Sequence, residues 1–120
     1  MLINRAFLVA ALLMGMAVPT FAQQAPKGIT LKLIEKGFDS PLYFIHDPAG
    51  RNFVVEQKGR VYELVNGRKS AKPYLDVSDH VYMQGECGFL SIEFHPKFAD
   101  NGRIFCNYTT RDPKLRTVVS

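Results

Sequence analysis

Leu42-Tyr43-Phe44-Ile45-His46-Asp47-Pro48-Ala49-Gly50-Arg51-Asn52-Phe53-Val54-Val55-Glu56-Gln57-Lys58-Gly59-Arg60-Val61-Tyr62-Glu63-Leu64-Val65-Asn66-Gly67 is the stretch whose pattern decides the fold. Leu42 to His46, Asn52 to Gln57 and Arg60 to Val65 are short runs rich in β-branched and aromatic residues, each bounded by turn chemistry. Asp47-Pro48-Ala49-Gly50 supplies one turn and Lys58-Gly59 a tight two-residue turn. Asn66-Gly67 is a strong hairpin signal, because both residues tolerate the positive φ that two-residue loops demand. Upstream, Ile29 to Glu35 predicts a further strand, in which Ile29, Leu31 and Leu33 alternate with Thr30, Lys32 and Ile34, and Gly37 to Pro41 breaks it. Four short antiparallel strands in succession are the composition of a β-propeller blade.

A second unit follows a loop from Lys69 to Glu86. Gly88 to His95 and Arg103 to Thr109 predict strands joined by Pro96-Lys97-Phe98-Ala99-Asp100-Asn101-Gly102, and Thr117 to Ser120 opens another. No segment keeps a helical period, so the chain reads as all β, with about one and a half to two blades, and it is expected to be truncated. Isolated blades leave apolar faces and sheet edges uncovered.

Met1 to Ala22 has the layout of a signal peptide: a basic start ending at Arg5, an apolar run of 13 residues from Ala6 to Val18, and Pro19-Thr20-Phe21-Ala22. Cleavage is expected after Ala22, giving a leader helix over 1–22 and an exported part over 23–120, periplasmic or secreted. The run is too short for the roughly 18 to 20 residues of a spanning helix, so no stable membrane insertion is expected once the leader is removed. Because Arg5 is the only charge removed, the net charge falls from +4 to +3, and the basic residues are scattered among acids. That argues against a nucleic-acid or membrane-surface role. Export permits a disulfide. Pairing of Gly88–His95 with Ile104–Tyr108 puts Cys106 opposite Glu93, however, with Cys87 about 20 Å further along at 3.3 Å per residue, which favours two free thiols.

Gln84-Gly85-Glu86-Cys87-Gly88-Phe89-Leu90-Ser91-Ile92-Glu93-Phe94-His95-Pro96-Lys97-Phe98-Ala99-Asp100-Asn101-Gly102-Arg103 resembles the glucose and sorbosone dehydrogenase family, in its Gly-Glu-x-Gly element, its Phe-His-Pro and its Asn-Gly turn. Gly37-Phe38-Asp39-Ser40-Pro41, Val54 to Gln57, Gly59 and Leu75-Asp76-Val77 resemble the family's first blade. The resemblance implies a six-bladed propeller that binds pyrroloquinoline quinone (PQQ) with the help of calcium and passes a sugar's hydride to the quinone and then to an external electron acceptor. It implies that Glu86 lies beside quinone and substrate, and that the catalytic histidine and calcium loops belong to later blades. No catalytic residue and no metal ligand is therefore expected within this stretch. Cys87, Phe89 and Glu93 depart from the family pattern, and Glu93 must reach solvent or a partner.

Other candidates read as structural. His95 before Pro96 is a strand end, and His46 and His80 lack ligand spacing. Asp76 and Asp79 suit turn hydrogen bonding better than calcium. Phe44, Phe53, Tyr62, Phe94 and Phe105 are expected to pack between blade sheets. The rival function is a non-catalytic extracellular propeller that binds a protein or carbohydrate, since a fold fixes no function.

Overall fold

The computed structural model describes residues 28–120, so the expected leader lies outside the described residues. Residues 32–120 contain two antiparallel sheets. The first contains β1 (Pro41–His46), β2 (Asn52–Glu56), β3 (Arg60–Val65), β4 (Arg68–Lys69) and β5 (Leu75–Asp76). It runs in the order β1-β2-β3-β4, with β5 pairing the other end of β3. The second contains β6 (Phe89–Phe94), β7 (Ile104–Thr110) and β8 (Arg116–Val119), in that order. A 3-10 turn at Ser78–His80 and a four-residue helix α1 (Phe98–Asn101) complete the described elements.

The expected first strand is corrected: residues 29–35 form no strand. Alternation gives them strand propensity, but among the described residues no sheet edge pairs with them. The fourth place in the sheet is shared instead by β4 and β5, each two residues long, β4 at the start of the expected loop and β5 within it. The Asn66-Gly67 turn forms as read, with φ of 52° and 76° and Val65 paired to Arg68. The Lys58-Gly59 turn does not, because Glu56 pairs with Arg60 and a three-residue loop from Gln57 to Gly59 lies between them. Gln57 thus belongs to a loop and not to β2.

Side-chain alternation sends Ile45, Phe53, Val55 and Val61 from the first sheet against Phe89, Ile92 and Phe94 of the second. The rings of Phe53 and Phe94 lie 5.0 Å apart, and Phe98 closes on Phe94 at the same separation. Burying each such side chain contributes roughly 1.5–3 kcal/mol. Two of the five expected packing aromatics, Phe53 and Phe94, lie in this core. Phe44 and Phe105 instead stand 57% and 45% exposed on outward faces. Tyr62 faces outward as well, against Phe38. Cys106 is shifted by one position, pairing with Ile92 while Phe105 takes Glu93. Both cysteines are free, and Glu93 is exposed.

Candidate functional site

Loops 37–40, 57–59, 77–80 and 84–88 gather at one end of the sheets, joined by bonds between their backbones. The Gln57 N–H donates to the Ser40 carbonyl at 3.0 Å, the Val77 N–H to the Gly59 carbonyl at 2.9 Å and the Phe89 N–H to the Gln57 carbonyl at 2.8 Å. Ser78 approaches so closely that a Cβ on Gly59 would stand 2.8 Å from its backbone, which is why only glycine suits that place.

Glu86 lies at the tip of a tight turn, Gln84–Cys87, closed by the Cys87 N–H donating to the Gln84 carbonyl at 3.0 Å. Gly85 takes φ +58° there. The Glu86 carboxylate is exposed and makes no hydrogen bond among the described residues. The turn is held from below by Gln57, whose Nε2 donates to the carbonyls of Gly85 at 2.8 Å and Cys87 at 3.0 Å. Gly88 lets this happen: a Cβ at that position would come within 2.5 Å of the Gln57 Cγ.

Beside this turn, Tyr82 donates its hydroxyl to the Gln84 side-chain carbonyl, and its ring carries the Arg111 guanidinium 4.2 Å from the centroid. A hollow of about 260 Å³ lined by Asp79, His80, Tyr82, Arg111 and Asp112 adjoins them. A larger hollow of about 530 Å³, lined by Phe38, Phe44, Val54 and Leu64, is on the outward face of the first sheet and shares no residue with the Glu86 turn.

The histidines remain apart. The His95 Nδ1 accepts the Lys97 N–H at 3.0 Å and meets the Asn101 Nδ2 at 2.9 Å, so it braces the turn after β6. Asp76 holds the 3-10 turn by accepting the Ser78 hydroxyl and N–H, which also keep its carboxyl below the usual carboxylate range. Among the described residues no group of three or more His, Cys, Asp or Glu could hold a metal ion. Gln57 and Arg111 were not legible as site residues. Gln57 read as the end of a strand, and its link to Gly85 spans 28 positions.

Two stacked antiparallel sheets of short strands, with loops converging at one end, define part of a β-propeller. The model of the Glucose / Sorbosone dehydrogenase family matches residues 38–120, and the chain belongs to that family. The oxidoreductase (glucose dehydrogenase) of Thermus thermophilus is similar in structure, with TM-score 0.63 and 27% identity over 73% of this chain and 26% of that one. PQQ-bound aldose sugar dehydrogenase from Streptomyces coelicolor shares the fold, with TM-score 0.60 and 24% identity over 74% and 26%. HIPL2 protein of Arabidopsis thaliana is 33% identical over 71% of this chain and 14% of its own length. The mouse Hedgehog-interacting protein is 32% identical over 68% and 13%. The chain thus spans about a seventh of the length of these curated relatives and about a quarter of the solved structures.

Proposed function

We propose that these residues are the amino-terminal portion of an exported, PQQ-dependent aldose dehydrogenase, in which Glu86 binds a sugar hydroxyl. The observation that carries this reading is the exposed Glu86 carboxylate, raised on a braced turn at the loop end of the sheets. A carboxylate with free lone pairs accepts a hydroxyl hydrogen bond, and such a charge-assisted bond is worth about 1.5–3 kcal/mol.

PQQ is a planar quinone bearing carboxylates, and the Arg111 guanidinium on the Tyr82 ring suits that chemistry: it would pair with a carboxylate in two-pronged fashion. The quinone, when bound, supplies the hydride acceptor. Glu86 would orient the sugar, and the Gln57 brace would hold Glu86 still while it does so. Among the described residues no group of three or more His, Cys, Asp or Glu could hold calcium, and no step is assigned to it.

A second reading is a non-catalytic propeller module, supported by the likeness to a protein named for interacting with Hedgehog. One experiment separates the two: residues 38–120 replace the segment they match in the Thermus thermophilus oxidoreductase, and aldose-dependent dye reduction is measured with quinone and calcium supplied. The enzyme reading expects turnover. A transplant that folds and binds quinone yet oxidises no aldose favours the binding module. Residues 23–120 alone are expected to give no turnover, because the family resemblance implies that the catalytic histidine belongs to later blades.

A further inference from the structure

We propose that Gln57 is a positioning residue for Glu86, its side-chain amide fixing the turn that presents the carboxylate. The inference rests on the sugar-dehydrogenase reading for what Glu86 does, but not for how it is held. The Gln84–Cys87 turn has one backbone bond of its own, which leaves the Glu86 tip free to rock. Both N–H groups of one amide remove that freedom, by donating to the carbonyls on either side of Glu86 at 2.8 and 3.0 Å. The side chain springs from an anchored main chain, since the Gln57 backbone is bonded in both directions, to Ser40 and to Phe89. Its stem lies flat against Gly88, where any side chain would displace it.

The chemistry requires an amide. A carboxylate of the same shape would put one oxygen where Nε2 stands, facing both carbonyl oxygens, and turn two attractions into two repulsions. Asparagine would fall one methylene short. A site held by groups that are themselves locked keeps its geometry before substrate arrives, which is where positioning contributes to rate. The arrangement also joins the blades: Gln57 follows a strand of the first sheet, and the turn it holds leads into the first strand of the second.

The test uses amide hydrogen exchange and NMR on the full chain. In the wild type, both side-chain protons of Gln57 are expected to exchange about tenfold or more slowly than a free glutamine amide. In Gln57→Glu at about pH 7.5, the Gly85, Glu86 and Cys87 amide resonances are expected to shift and broaden while those of Val54 and Phe94 stay. On lowering to about pH 5 they should return toward wild type, because a carboxyl placed against two carbonyls takes up a proton readily and regains one O–H donor. A merely structural role gives no such pH return. Free exchange of the wild-type Gln57 protons overturns the proposal, as does a turn unmoved by Gln57→Glu. Should that variant fail to fold, the wild-type exchange rate decides. If the signature holds while Glu86→Ala costs the transplanted enzyme nothing, the reading of Glu86 as the sugar-binding residue falls and its positioning by Gln57 stands.

Discussion

Asp47 is 2% exposed, yet both of its oxygens are occupied. Oδ1 accepts the N–H groups of Ala49 and Arg51 at 2.9 Å, and Oδ2 accepts the Arg51 Nε at 2.8 Å. Burial by itself would raise its pKa, but the Arg51 hydrogen bonds and charge, with the Ala49 N–H, outweigh it and hold the carboxyl below its ordinary value. A depressed carboxylate stabilises the fold above its unfolded pKa of about 3.9, and that contribution is lost as pH falls through the lower folded value. An NMR titration of the Asp47 carboxyl is expected to show a midpoint below about 3.9, with Ala49 and Arg51 amide protection lost through the same transition; a midpoint at or above that value contradicts the account. Glu56 is the second buried carboxylate, 1% exposed, and the Lys69 Nζ meets it at 2.8 Å while lying 3.8 Å from the Tyr62 ring centroid. Both carboxylates were visible in the sequence as turn and strand residues. The Lys69 partner of Glu56 was not, because a hydrogen bond between positions 13 apart leaves no local signature.

At the scale of elements, the turn residues carried the reading. Asp47 to Gly50 and Asn66-Gly67 placed β1 to β3 nearly to the residue, since each needs a backbone shape few residues adopt. Ile29 to Glu35 misled because strand propensity says nothing about whether an edge is available. The paired fragments Arg68–Lys69 and Leu75–Asp76 were hidden because two residues show no period. Assigning Gln57 to a strand hid the brace beneath Glu86, and the turn bearing Glu86 read only as the end of a loop. Gly59 tests the loop assembly directly. Gly59→Ala combines φ +106° with a Cβ 2.8 Å from the Ser78 backbone, so Ser78–His80 must move. The expected cost is on the order of 1–3 kcal/mol, read as faster amide exchange at Val77 and His80. Unchanged exchange there would show that the 3-10 turn does not depend on the close approach.

Among the described residues, the buried core lies between the two sheets, and their outward faces carry exposed apolar side chains. Phe44 and Val119 are 57% and 72% exposed, and the hollow against Val54 and Leu64 holds about 530 Å³. Blades gain stability by covering one another's faces, and among the described residues these outward apolar side chains stand uncovered. Thermal unfolding of the monomer is expected to be broad and low, and a sharp cooperative transition would contradict this. The central claim, that Glu86 on its braced turn handles the sugar in a PQQ-dependent oxidation, is tested most directly by kcat/KM for aldose in the transplanted Thermus thermophilus oxidoreductase with and without Glu86→Ala. The account predicts a fall of roughly 10- to 100-fold with quinone affinity kept, the worth of one charge-assisted hydrogen bond. Equal kcat/KM in the two folded, quinone-bound proteins would contradict it.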